Sequence, residues 1–191
     1  MNYKGLFHIA LQLISSPARA WEEIRLEEDR RKVLTEFVYP MIGLCGLLVL
    51  VTTLVRMDWG EPQSYQVAMT RCSSVAVSFF GGFFLAAYSI NWLNINQLKR
   101  TSNMPLAQQF AGYAMVVPFL LRMVIALLPD FTIIALLLMF YIVYVVWEGS
   151  DRLMKVEEKD RFRFTILSSL LLILCPLAIE WIFDKLTVAL N

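Results

Sequence analysis

The stretch from Phe110 to Leu128, FAGYAMVVPFLLRMVIALL, contains 19 residues and a single charge, on Arg122. A helix needs about 20 apolar residues to cross a bilayer, and in lipid its backbone polar groups must pair within the same helix. A helix on the surface of a soluble protein would instead carry polar residues along one face. The stretch is therefore predicted to be a transmembrane α-helix.

Four more stretches, on both sides of this one, are almost free of charge: Phe37–Val55, Ser73–Leu93, Phe131–Trp147 and Phe164–Phe183. The five stretches make up about half of the chain but hold only two charged residues, Arg122 and Glu180. The whole chain is 58% hydrophobic and 17% charged, whereas soluble domains are about 45–50% apolar and about 25% charged. The sequence predicts an all-α polytopic membrane protein, a bundle of five transmembrane helices spanning residues 37–191.

Residues 1–36 are predicted to form a cytoplasmic N-terminal segment with an amphipathic helix. Its polar residues recur every three or four positions, at Lys4, His8, Gln12 and Ser15. Such a helix lies in the headgroup plane or packs against the ends of the spans. His8 and Gln12 interrupt the apolar run, which argues against a cleaved signal peptide. A second short helix should follow, capped by Ser16 with Pro17 in its first turn and Trp21 and Ile24 on one face.

The basic residues predict the orientation. Thirteen Lys and Arg residues lie in the N-terminal segment and the second and fourth loops, against three in the first and third loops and the tail. Loops rich in Lys and Arg stay in the cytoplasm. The N-terminus is therefore predicted to be cytoplasmic and the C-terminus outside.

The sequence contains no motif typical of catalysis or of cofactor binding. Phosphate-binding glycine loops, metal-binding His pairs and nucleophile motifs are missing, and His8 is the one histidine. The three cysteines, Cys45, Cys72 and Cys175, have no metal-site or disulfide spacing. A net charge of +1 argues against nucleic-acid binding. We expect neither catalytic activity nor a metal or other cofactor.

Arg122 and Glu180 make membrane insertion less favourable, because a charge within a span costs about 2.5–3.5 kcal/mol of insertion free energy on insertion scales. In the predicted orientation both lie near the outer ends of their spans, at depths that differ by less than one helical turn. They could pair across the bundle, or each side chain could extend separately to the interface. Asp130 is a competing partner for Arg122.

Prolines and glycines predict irregularities in the bundle. Pro118 and Pro176 lie inside spans and favour kinks. Pro129 and Asp130 leave room only for a tight hairpin between the third and fourth spans. Close helix approach is predicted at four glycines, Gly43, Gly46, Gly81 and Gly82.

Three motifs resemble those of the YIP (Ypt-interacting protein) family of five-span membrane proteins, in its short bacterial form. The first is the segment Ser16–Ile24, with Pro17 and Trp21, and the second is Phe80–Phe83, with Gly81 and Gly82. The third runs from Gly112 and Tyr113 to Pro118 and continues to Leu128 and Pro129. This last motif is similar to the family's G-Y-A-x-x-x-P stretch and is the most specific.

The resemblance implies five helices, a cytoplasmic N-terminus and a place in the bacterial cytoplasmic (inner) membrane. Eukaryotic members bind small GTPases and each other and act in vesicle traffic. Their longer N-terminal region has no counterpart in the 36 residues before the first predicted span, so binding of a small GTPase is not expected. The resemblance transfers no catalytic residues.

Two functions fit the sequence. The leading one is a non-enzymatic membrane organiser or scaffold in the lipid bilayer, working through helix–helix contacts with a membrane-protein partner or in a homo-oligomer. The alternative is a small transporter or channel component in which Arg122 and Glu180 line a polar path.

Overall fold

The computed structural model describes residues 3–27, 29–57 and 61–190, and these residues are almost entirely helical. Their α-helices are α1 (Tyr3–Ser15), α2 (Pro17–Arg25), α3 (Tyr39–Arg56), α4 (Pro62–Asn96), α5 (Met104–Ala114), α6 (Val116–Leu127), α7 (Thr132–Leu138), α8 (Tyr141–Arg152) and α9 (Glu158–Leu190). A π-helical turn, Leu34–Val38, precedes α3, and a 3-10 turn, Pro129–Phe131, joins α6 to α7. No strand occurs in these ranges, so the all-α fold is confirmed.

Five helical segments of the described chain are long and apolar enough to cross a membrane. They are Leu34–Arg56, Pro62–Asn96, Met104–Leu127, Pro129–Arg152 and Glu158–Thr187, and we call them spans 1 to 5. The predicted number of spans is confirmed. The second and fifth are longer than predicted, because α4 and α9 continue as helices of 35 and 33 residues beyond their charge-free centres.

The helix α4 lies at the centre of the bundle and packs against α3, α5 and α9. Spans that follow each other in the chain run in opposite directions, whereas spans 1 and 3, which also pack together, run in the same direction and end side by side at Arg56 and Ala126. One end of the bundle brings α2 together with the loops after α4 and α8, and we call it the α2 end. The other end holds the turn Pro129–Phe131, and we call it the hairpin end; there Arg56 Nη2 donates to the backbone oxygens of Ala126 and Leu127 at 2.7 and 2.9 Å.

The predicted glycine contacts are present in part. A Cβ atom at Gly82 would lie 2.5 Å from Cα of Pro176, so α4 and α9 approach closely there. A Cβ at Gly46 or Gly81 would lie 3.4 Å from its nearest neighbour. The prediction is wrong for Gly43, where no described atom lies within 4 Å of the Cβ position, because none of the described helices packs against this face of α3.

Two spans are interrupted. Span 3 is divided at Met115, three residues before Pro118, as expected from a proline that lacks a backbone N–H. Span 4 is divided at Met139 and Phe140, with no proline or glycine nearby to signal it. By contrast, α9 continues through Pro176 without a break.

The two N-terminal helices pack against the bundle. The apolar face of α1 buries Leu6, Ala10 and Leu13, while Phe7 and Leu11 remain exposed. Pro17 lies in the first turn of α2, as predicted. Ser16 occupies the cap position, but its side chain makes no cap hydrogen bond, so the predicted capping is wrong; its backbone oxygen accepts from Arg19 and Ala20 instead.

Candidate functional site

Trp21 fixes α2 to the bundle. Its indole is fully buried, lies against Phe110 with ring centroids 5.6 Å apart, and donates from Nε1 to the backbone oxygen of Val145 at 2.9 Å. Room for the indole comes from Gly149, where a Cβ would lie 2.6 Å from Trp21 Cε2. Gly149 was missed by sequence reasoning, because nothing local marks a glycine 128 positions away as the partner of Trp21.

Gly112 and Tyr113 hold the chain that leads into span 1. A Cβ at Gly112 would lie 2.8 Å from a methyl group of Val33 and 2.8 Å from one of Val38. Tyr113 donates from its hydroxyl to Glu27 Oε1 at 2.8 Å. The same carboxylate accepts from Gln109 Nε2 at 3.0 Å. The third sequence motif also contacts the first one at the α2 end, because the rings of Trp21 and Tyr113 lie edge to face with centroids 6.4 Å apart.

Arg122 and Glu180 form an ion pair near the hairpin end. Arg122 Nη2 lies 2.5 Å from Glu180 Oε1, with 31% and 22% of the two side chains exposed. Because neither partner is fully exposed, the pair offsets part of the cost of placing two charges within spans. Asp130, the competing partner, makes no ion pair within the described residues.

The ion pair lies at the floor of an open polar cleft of about 390 Å³. Two further arginines, Arg56 and Arg71, line the cleft together with Asp184, which accepts from Ser74 Oγ at 2.9 Å. Pro129 also lines the cleft. The sequence analysis missed these polar residues, although Asp184 lies one helical turn after Glu180 and so shares its face.

A second cavity, of about 240 Å³, adjoins the cleft and shares Arg122 and Glu180 with it. Its other lining residues are mainly apolar and come from α4, α6, α7 and α9; they include Phe79, Pro118 and Pro176. The polar lining therefore gives way to an apolar one beneath the ion pair. This arrangement can hold a polar group at the hairpin end, whereas beyond the ion pair the described lining is mainly apolar, with Ser78 and Thr132 as its polar members.

The remaining candidate residues are not brought together at one place. The motif residues divide between the α2 end (Pro17, Trp21, Gly112, Tyr113), the α4–α9 crossing (Gly81, Gly82) and the hairpin-end cavities (Pro118, Pro129). The three cysteines are free, and no cluster of His, Cys, Asp or Glu suitable for a metal occurs in the described part of the chain.

A family model of the Yip1 domain matches residues 11–179, which is most of the chain. Comparison with curated proteins and with solved structures finds no match. The matched range includes all three motifs, the first four spans and all but the last turns of the fifth span. Together with five apolar helices of membrane-spanning length, the match makes the chain an integral membrane protein that belongs to the Yip1 domain family.

Proposed function

We propose that this protein is a non-enzymatic membrane organiser that associates with a second copy of itself through span 4. The observation that carries the proposal is the exposed apolar face of that span around Leu137 and Phe140. The backbone where α7 meets α8 keeps helical dihedral angles and its own hydrogen bonds, so the groups left for a partner to cover are apolar side chains.

The face around this break is uncovered within one chain. Leu137 is 66% exposed and Phe140 is 71% exposed. In span 4 only 22% of the most apolar window is buried, compared with 28% in span 5 and 67% in span 3. A second copy packed on this face would cover these side chains by an isologous contact, in which the same surface is used by both subunits.

Cysteine cross-linking in native membranes tests the proposal. Leu137→Cys in a cysteine-free background should give a disulfide-linked dimer on mild oxidation. Leu47→Cys, on α3 and 59% exposed, is the matched control and should stay monomeric. Equal cross-linking at both positions, or none at Leu137→Cys, would refute association through span 4.

The polar cleft favours a second candidate, a small transporter component that binds solute beside Arg122 and Glu180. Cysteines one turn on either side of Arg122, as Phe119→Cys and Ala126→Cys, distinguish the two functions by labelling with a charged thiol reagent. Labelling of both supports a water-filled path. Labelling of Ala126→Cys alone supports a shallow cleft that ends at the ion pair, which argues against transport.

A further inference from the structure

We propose that a cavity at the α2 end is a binding site for the headgroup of an anionic glycerophospholipid that carries free hydroxyls, as phosphatidylglycerol does. The cavity has a volume of about 500 Å³ and is formed where α2, the loop after α4, the start of α5 and the end of α8 meet. It is separate from the span 4 face and from the cleft at Arg122.

Positive charge dominates this cavity. Arg25, Arg30, Arg100 and Lys155 line it, and none of its lining residues in the described chain is acidic. Arg100 is held in place, since its guanidinium donates to the backbone oxygens of Met154 and Lys155 at 2.5 Å each. The other three cations form no ion pair among the described residues, so their charges are available to a phosphate.

The start of α5 adds partial positive charge on the same wall, although Pro105 has no N–H and the N–H of Leu106 already donates to Asn103 Oδ1 at 3.1 Å. Asn103 is the N-cap of this 11-residue helix and lines the cavity. A helix N-terminus carries partial positive charge and favours a phosphate nearby. Basic cavities between transmembrane helices are a recurrent form of lipid headgroup site.

Asn94 is the reason to expect hydroxyl groups on the ligand. It lines the cavity and is only 4% exposed, and its Oδ1 atom has no hydrogen-bond partner among the described residues. A buried acceptor without a partner costs free energy, and a headgroup hydroxyl supplies the missing donor. The cations thus select the phosphate, and Asn94 selects a headgroup with a hydroxyl over one without.

Binding of dioleoylphosphatidylglycerol to the purified full-length protein, measured by native mass spectrometry in an uncharged detergent, tests the site. Arg25→Gln/Arg30→Gln should bind this lipid about 30-fold more weakly, since each cation near a membrane surface contributes about 1 kcal/mol. Arg19→Gln/Arg163→Gln removes two exposed cations outside the cavity and should bind like the wild type. Equal affinity of both double variants would overturn the proposal.

Three further ligands complete the test. Phosphatidylmethanol, equally charged but without a headgroup hydroxyl, should bind about 5-fold more weakly, which corresponds to one hydrogen bond of about 1 kcal/mol. Phosphatidylcholine binding as tightly as phosphatidylglycerol would overturn the charge selection. If inorganic phosphate competed at concentrations similar to the lipid, the lipid assignment would be wrong and the site would belong to a soluble anion.

Discussion

Arg122 and Glu180 give the most direct test at the scale of single residues. Replacing either by Ala leaves the other charge within a span without its partner, so each single variant should lower the free energy of unfolding. Because Arg122→Ala/Glu180→Ala leaves no orphan charge, it should be no less stable than the worse single variant. The coupling energy should be about 0.5–3 kcal/mol, measured by denaturing titration in detergent.

Arg71 supplies the comparison for this cycle. It lines the same cleft but makes no ion pair among the described residues. Arg71→Ala combined with Glu180→Ala should therefore show a smaller coupling energy than the Arg122 cycle. Simple additivity in the Arg122 cycle would mean that the two side chains act separately.

Gly149 is the second residue whose role can be measured. In Gly149→Ala the new Cβ would lie 2.6 Å from Trp21 Cε2 and 2.9 Å from Phe110 Cε2, and both rings are fully buried. Overpacking of this kind costs about 1–3 kcal/mol. We expect a lower unfolding temperature in a thermal melt of the detergent-solubilised protein.

The matched control is Gly43→Ala, also in a transmembrane helix. Nothing lies within 4 Å of the Cβ position at Gly43. The substitution should leave the unfolding temperature unchanged or raise it, since Ala favours the helix over Gly by up to about 1 kcal/mol. Similar losses at both glycines would show that packing against Trp21 is not the cause.

At the scale of elements, the crossing of α4 and α9 depends on Gly82. A Cβ there would meet backbone atoms of Pro176, Cα at 2.5 Å and N at 2.6 Å, and a backbone can yield only if the helices separate. Gly82→Ala should therefore cost about 1–3 kcal/mol or more of unfolding free energy. Gly81→Ala, facing the side chain of Ile179 at 3.4 Å, should cost less, and equal costs would contradict a role for close backbone approach.

The elements also show how far sequence reasoning extends. Charge depletion is a local property, so the five spans can be identified from the sequence. Pro118 likewise signals that span 3 is interrupted between α5 and α6. The break at Met139 and Phe140 has no such residue, and it is therefore invisible locally. Pro176 in α9 does not interrupt the helix, so a proline in the sequence does not by itself fix where a span is divided.

Contacts between distant residues limit prediction of the sites. The pairing of Arg122 with Glu180 was one of two alternatives, because similar depth made contact possible but did not fix which faces meet. The cleft residue Arg71 and the motif partner Gly149 depend on how the spans pack, which composition and periodicity do not specify. The family motifs identified Trp21 and Tyr113, but not the carboxylate of Glu27 that Tyr113 contacts.

At the scale of the whole molecule, the two ends of the bundle differ in the charge of their cavities. The α2 end contains the anchored N-terminal helices and the basic cavity. The hairpin end contains the cleft, in which arginines are accompanied by Glu180 and Asp184. Since basic loops stay in the cytoplasm, the α2 end should face the cytoplasm, and an anionic lipid bound there would come from the inner leaflet.

Labelling of single cysteines in intact cells checks this orientation. Asp130→Cys at the hairpin end and Glu157→Cys at the α2 end are both exposed positions, and each is placed in a background without Cys45, Cys72 and Cys175. A membrane-impermeant maleimide should modify Asp130→Cys in intact cells, whereas Glu157→Cys should react only after the membrane is opened, because the basic loops hold that end inside. The reverse pattern would place the basic cavity outside and would contradict the assignment of its lipid to the inner leaflet.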